Sequence, residues 1–449
     1  MDRSRLAELL ARERATFAAR HPGSAQAYQR AGSLFGRVPM TWMNMAAGGF
    51  PLYLDRASGA RVTDVDGQEY ADFSLGDTAA MAGHSPAPVL AAIERRAAGR
   101  GGLSVMMPTE EAEQAGAELA RRFGAARWSF ALTATDANRW AIRLARALSG
   151  RARILFHSYC YHGTVDESLI VTSPSGPQPR AGNVGAPVDV RETSRVAEYN
   201  DLDGLERELA HGDVAAVLME PALTNIGIVL PEPGYLAGVR ELTRRHGTLL
   251  INDETHTFCA GPGGATQAWG LEPDLVTVGK AIGGGIPAAA YGLSAELADR
   301  LLARGDLDLV DMGGVGGTLA GNPLSVTAVA ATLREVLRDE VFVDMSALAE
   351  RFAGGVDAVI GRHGLPWSVT RLGARAEYRF TAPAPRTGTE AAAASDPELD
   401  DYLHTYLANR GILLTPFHNM ALMCPATSPD DVDRHTEVFG AAVAELLGG

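Results

Sequence analysis

From Trp128 onward, short apolar runs alternate with longer stretches whose apolar positions recur every three or four residues. The runs Trp128–Leu132, Arg153–Phe156, Val214–Met219, Thr248–Asn252 and Leu275–Val278 predict strands. The periodic stretches Asn138–Leu148, Gly234–His246 and Pro323–Leu337 predict helices. Strand and helix in alternation predict an α/β domain with a mostly parallel sheet covered on both faces. Upstream, residues 2–20 predict a helix through Leu6, Leu9, Leu10 and Phe17. Short strands are expected at Pro51–Leu54 and Arg61–Val65 in an otherwise irregular 33–65 segment, and a turn at Asp66–Gly67 leads into another strand. Pro88 to Arg100 and Thr109 to Phe123 read as helices. Residues 171–190 read as a long Pro/Gly-rich surface loop, and 381–398 as a mobile, low-complexity stretch. A strand at Ile412–Leu414 and a helix from Pro429 close the chain. The expected division is 1–65 for an N-terminal helix and part of a small domain, 66–325 for a large domain, and 326–449 for the rest of a smaller α+β domain.

The chain has 449 residues, too many for one small domain, and a formal charge of −14. No Lys/Arg-rich run is present, so a nucleic-acid partner is not expected. Cys160, Cys259 and Cys424 are far apart with no metal-ligand spacing, which predicts neither disulfide nor metal and fits a reducing cytoplasm. The charged N-terminus does not resemble a signal peptide, and no apolar run reaches the roughly 20 residues a membrane helix needs.

Of the 40 basic residues, 39 are arginine and one is lysine, Lys280. Arginine replaces lysine wherever a solvated positive charge suffices, but guanidinium does not lose its proton to become a nucleophile. A G+C-rich genome would account for the arginines, though not for where the lysine sits. It sits in DLVTVGKAIGGGIP, at the end of an apolar run and before a glycine cluster.

Open parallel sheets bind ligands beyond the carboxyl ends of their strands. Asp253 follows one apolar run and Lys280 another, while Thr133-Ala134-Thr135-Asp136-Ala137 follows a third and opens a helix. That turn offers hydroxyls and free N–H groups at a positive helix end, as a phosphate site requires; the same residues would also serve as a plain N-cap. Amine, carboxylate and phosphate cradle together describe a site for pyridoxal 5'-phosphate.

The runs PLYLDRASGARVTDVDGQEYADF, AGHSPAPVLAAI, CYHGTVDE, LMEPALTNIGIVLPEPGYLAGVRELTRRHGTLLINDETHTF, DLVTVGKAIGGGIPAAAYG and GGTLAGNPLS resemble class III aminotransferases, in particular the glutamate-1-semialdehyde 2,1-aminomutase branch. The resemblance spans about 35 to 440 and implies the type I fold of pyridoxal-phosphate enzymes. It also implies a homodimer with shared active sites. Carried over by position, Lys280 would be the Schiff-base lysine and Asp253 the partner of the pyridine nitrogen. Tyr161 and Thr255 would face the ring from its two sides. Thr133, Ala134 and Thr135 would hold the phosphate, Asn225 would lie near the cofactor, and Thr318 would reach the neighbouring subunit's phosphate. Glu220, in the Glu-Pro pair, reads as structural.

Three departures bear on function. The usual Ser-Gly-Thr-Glu-Ala turn has Ala134 in place of glycine, which requires a backbone conformation that a side chain tolerates. The usual Val-Met-Thr after Asp-Glu is Thr255-His256-Thr257. The branch's substrate-carboxylate arginine aligns with Trp42, and no arginine lies between Arg37 and Arg56. Met40, Trp42, Met43 and Met45 then become candidate pocket walls, with core packing the alternative. The general pattern resembles D-phenylglycine aminotransferase-like members. Arg375 and Arg379 are candidate carboxylate partners that would share one face of a strand, with surface ion pairing the alternative. His162, His256 and His418, near these motifs, read as hydrogen-bonded structural residues before acids or bases.

The expected activity is amino transfer between an amino donor and a keto acid or aldehyde. The alternative is an isomerase, an aminomutase or amino-acid racemase, on the same scaffold. A non-catalytic binding protein that keeps the fold is the third possibility, and the pairing of Lys280 with Asp253 argues against it.

Overall fold

The computed structural model describes residues 2–305 and 314–448, which fall into two compact units. The larger comprises residues 87–342 and 385–393. Its sheet is built from Arg127–Ala131 (β1), Arg153–His157 (β2), Ser194–Ala197 (β3), Val214–Met219 (β4), Leu249–Asp253 (β5), Leu275–Val278 (β6) and Ala289–Leu293 (β7). The spatial order is β1-β7-β6-β5-β4-β2-β3. Adjacent strands from β6 through β3 run parallel, while β7 is antiparallel to both its neighbours. Every residue of β4, β5 and β6 is buried. Strands covered on both faces favour apolar side chains at successive positions, which is why these three read as mainly apolar runs.

The Ala134–Ser149 helix buries Ala137, Trp140, Ala141, Ile142, Leu144 and Ala145 and ends on Gly150 in the left-handed conformation. Strands β3 and β7, Ser-Arg-Val-Ala and Ala-Ala-Tyr-Gly-Leu, were not expected from the sequence. Each is short, lacks a polar–apolar alternation and owes its conformation to pairing with its neighbours.

Two expected irregular stretches are more ordered than their composition predicts. Within 171–190, Gln178–Pro179 pairs with Ile170–Val171, and a one-turn helix starts at Val190. Within 381–398, expected to be mobile, Gly388–Ala393 is a helix. Thr389 donates to Glu198 through its amide at 3.4 Å and through its hydroxyl, Asn200 donates to the Arg386 carbonyl at 2.8 Å, and Ala391 joins the core. A Cβ at Gly388 would overlap the Ser158 carbonyl, so small residues here permit close packing.

The smaller unit holds residues 1–86, 343–384 and 394–449. Leu54–Ser58, Arg61–Asp64, Glu69–Asp72 and Ile412–Leu413 form one sheet, joining both ends of the chain. Ser368–Leu372, Arg375–Arg379 and Met420–Leu422 form another, antiparallel throughout. The boundaries therefore differ from those expected. Residues 66–86 belong here because Glu69–Asp72 completes the first sheet, whereas 326–342 stay with the larger unit, where the Pro323–Ala331 helix is buried throughout except at Leu324. No helix among the described residues is long and apolar enough to cross a membrane. Cys160, Cys259 and Cys424 form no disulfide and are buried.

Candidate active site

Strand β5 ends in Asp253, β6 runs into Gly279 and Lys280, and β1 leads to the helix that starts at Ala134. All three lie at the carboxyl edge of the sheet, and side-chain contacts draw them together. Asp253 is buried, and one of its carboxylate oxygens accepts from His162 Nδ1 at 2.9 Å and from Asn138 Nδ2 at 2.7 Å. The other accepts from the Thr255 amide at 3.0 Å. Burial alone would raise this carboxyl; the hydrogen bond and charge of His162, with help from Thr255 and Asn138, hold it down at about 2. Burial likewise opposes a charged His162, but its contacts with Cys160 and Asp253 raise it well above the usual histidine range. The site thus contains a carboxylate kept ionised without access to water.

Asn138 ties the elements to one another. Besides Asp253 it donates to the His162 carbonyl at 3.2 Å, and it accepts from Thr277 Oγ1 on β6 at 2.6 Å. Asn138→Leu leaves Asp253 short of one donor and Thr277 without its acceptor. The expected loss is about 1–3 kcal/mol, read from denaturant unfolding; unchanged stability would remove Asn138 from this framework.

Thr133 caps the helix: its hydroxyl accepts from the Asp136 amide at 3.1 Å and donates to the Asp136 carboxylate at 2.8 Å. Thr135 Oγ1 accepts from the Thr164 amide at 3.1 Å. Both hydroxyls thus serve the turn itself, and the groups suited to an anion are the first-turn N–H groups, which have no acceptor within the helix. Ala134 is the first helical residue and has no positive φ, so the glycine-to-alanine change costs nothing in backbone conformation. Two glycines bring neighbouring chain against this helix start. Gly163, at φ 79°, leaves no room for a Cβ beside Thr135, and a Cβ on Gly279 would stand 3.0 Å from that of Ala134. Lys280 follows directly. It adopts φ 49°, a left-handed conformation unusual for a residue with a side chain. Its Nζ lies 2.6 Å from His256 Nε2.

Tyr161 is half-buried and its amide donates to Glu220 at 3.3 Å; Thr255 is buried beside Asp253 on the following turn. Glu220 also accepts from the Thr224 hydroxyl, and burial raises its carboxyl. Asn225 Oδ1 accepts from Arg180 at 2.7 Å, and the same guanidinium donates to the Cys160 carbonyl at 2.7 Å. Thr318 is exposed in a turn ahead of the Pro323–Ala331 helix. Asn138, Arg180 and the contact roles of His162 and His256 were missed from the sequence. A polar residue in the otherwise apolar buried stripe of its helix was the available signal for Asn138; nothing in the 171–190 loop marked Arg180.

Trp42, Arg375 and Arg379 belong to the smaller unit. Trp42 is 43% exposed and meets Phe417 edge-on at 5.8 Å, with Met40 and Met45 also exposed, so core packing does not describe this cluster. Arg375 and Arg379 share a strand face, as expected, but both are buried rather than paired at the surface. Between them Glu377 lies 3.9 Å from Arg375 and 3.2 Å from His418. Burial would raise Glu377; His418 and the two arginines bring it below the usual range.

An amine in reach of an imidazole, a buried carboxylate held ionised, and a helix start lined by close glycine contacts fit an aldehyde, a ring nitrogen and a phosphate respectively. Fold and site together define a pyridoxal-phosphate-dependent enzyme of fold type I. The sequence matches the family described as Aminotransferase class-III over residues 43–442, and the chain belongs to that family. It is 35% identical over 448 residues to glutamate-1-semialdehyde 2,1-aminomutase of Symbiobacterium thermophilum, covering 96% of this chain and 99% of that one. Among solved structures, a glutamate-1-semialdehyde-aminomutase from Pseudomonas aeruginosa PAO1 is 47% identical, with TM-score 0.96 and 99% of each chain covered. A variant of that protein was solved in complex with PMP. An omega-transaminase from Sphaerobacter thermophilus is 30% identical, with TM-score 0.87, covering 96% of this chain and 100% of that one.

Proposed function

We propose that this chain is an aminomutase, moving an amino group within one carbon skeleton. The observation that carries the amino-group chemistry is the placement of Lys280 and the ionised Asp253 at neighbouring strand ends. The relatives named as aminomutases support rearrangement within one molecule over the expected transfer between two. Transfer between an amino donor and a keto or aldehyde acceptor stays as the second reading. It is favoured by the missing arginine between Arg37 and Arg56, which leaves a glutamate-1-semialdehyde carboxylate without its expected partner.

Lys280 would hold the cofactor through Nζ, Asp253 would face its ring nitrogen, and Tyr161 and Thr255 would flank the ring. The N–H groups of Ala134 and Thr135 would hold the phosphate, with Asn225 and Thr318 at the margin. When bound, the cofactor supplies an aldehyde carbon that accepts the amino group and a ring that draws electrons from the substrate's reacting carbon. Lys280 Nζ, once free, takes a proton from that carbon and returns it at the new position. Asp253, kept as the anion by His162 and Asn138, stabilises positive charge opposite it.

A panel of single amino-carbonyl compounds and amino acids, each ¹⁵N-labelled, tests this against donor–acceptor pairs. An aminomutase converts one pure compound and keeps the label on its skeleton. Turnover only with an added keto acid or aldehyde would establish the second reading instead. A homodimer is part of the same proposal. Met106 and Met107 stand 90% and 74% exposed in one chain, an apolar surface that a second copy would cover. Met106→Asp should shift the assembly toward monomer in sedimentation velocity, and a wild-type monomer would sink this part.

A further inference from the structure

His256 stands where the resembling family usually has methionine, and its Nε2 is within hydrogen-bond distance of the chain's only lysine, at 2.6 Å. An amine must shed a proton before it attacks a carbonyl, and a solvated lysine holds that proton up to about pH 10.4. An imidazole, with a usual pKa of about 6.5, is the side chain suited to take it near neutrality. We propose that His256 is a positioning residue that exchanges a proton with Lys280. One Nζ–H bond breaks, an Nε2–H bond forms, and the amine is left neutral with its lone pair free. Nothing is oxidised or reduced, and the imidazolium returns its proton to Nζ or to water.

The backbone fixes this geometry. His256 is 8% exposed, on the turn after β5, where Phe258 N donates to Glu254 O at 2.8 Å and Cys259 N to His256 O at 3.3 Å. Lys280 is held by the left-handed turn after β6. The surrounding titratable groups have other engagements. Asp253 serves His162 and Asn138, and Glu220 serves Thr224 and the Tyr161 amide. Glu254 accepts from Thr257, Ala265 and Thr266, and burial raises its carboxyl. Of the elements packed on the Lys280 turn, β7 brings Tyr291, whose hydroxyl burial pushes up. The Pro323–Ala331 helix brings no titratable group, and Arg334 and Glu335 beyond it are exposed.

The inference rests on Lys280 being the cofactor's point of attachment, and the test separates the two. The full chain, stripped of cofactor, is mixed with pyridoxal 5'-phosphate, and covalent capture is followed by absorbance and by borohydride trapping. Wild type should load measurably at about pH 7 and faster toward about pH 10. His256→Gln keeps a hydrogen-bond acceptor without basicity; it should load slower by on the order of 10²-fold at about pH 7 and approach wild type at about pH 10, where lysine deprotonates unaided. Equal slowing at every pH, or no slowing, overturns the proposal. Wild-type protein with no trapped adduct at Lys280 overturns the attachment reading and the inference together. A second measurement needs no variant. With ¹³Cε-lysine the chain gives one lysine signal, which should titrate in two steps; a single step would refute a shared proton.

Discussion

Lys280→Ala abolishes covalent capture of pyridoxal 5'-phosphate and lowers turnover by at least about 10⁴-fold. Both roles proposed for Nζ, holding the cofactor and moving the substrate proton, disappear with the amine. Because Lys280 is the chain's only lysine, a borohydride-trapped adduct has one lysine to map to, and peptide mass spectrometry of wild type and variant reads the result directly. Lys280→Arg should be as inactive as the alanine variant, since guanidinium keeps the charge but does not supply a neutral nucleophile. The backbone adds a second expectation. At φ 49° any side chain carries a left-handed penalty, so Lys280→Gly should be more stable than Lys280→Ala by about 1 kcal/mol while equally inactive. Strain retained at a residue whose relief costs activity is a mark of function. A Lys280→Ala protein that still trapped cofactor, or turned over normally, would overthrow the site.

The parts of this site legible in the sequence share one physical origin. Strands buried on both faces are mainly apolar, so a charged residue at the end of such a run stands out, and Asp253 and Lys280 both do. The helix start after β1 was legible because caps have a narrow chemistry. What stayed hidden depends on partners far away in sequence. Strand β7 is ordinary in composition and becomes a strand by lying between β6 and β1. Asn138 acquires its role from Asp253, Thr277 and His162, none of them near it in the chain. Composition also misled at 381–398, where alanine and glycine permit close packing instead of mobility. Arg375 and Arg379 showed their shared face through simple alternation, yet their burial beside Glu377 and His418 follows from a strand forty residues on.

Asp253→Asn tests the other half of the site and affects stability as well as rate. The asparagine side chain has one acceptor oxygen where the carboxylate has two. If that oxygen serves His162 and Asn138, its amide faces the Thr255 N–H, donor against donor. Loss of the anion also strands a buried His162 that Asp253 helped to keep charged. Breaking a buried pair by removing one partner costs about 3–5 kcal/mol, which urea unfolding near neutral pH should register. Turnover should fall by on the order of 10²–10³-fold, the usual scale for a lost electrostatic partner in a water-excluded site. The sign of the pH dependence follows from the two shifts. Asp253 is held at about 2 in the fold, against about 3.9 unfolded, so its contribution is present above about pH 4 and fades as pH falls toward 2. His162 is raised in the fold, so its contribution is complete below about pH 6.5 and is lost as pH rises through the folded value. Wild type should therefore lose stability at both ends, and Asp253→Asn should flatten the acid limb while lowering the plateau between them. A variant with wild-type stability and rate would mean that Asp253 faces nothing that needs its charge, and the ring-nitrogen assignment would fall with it.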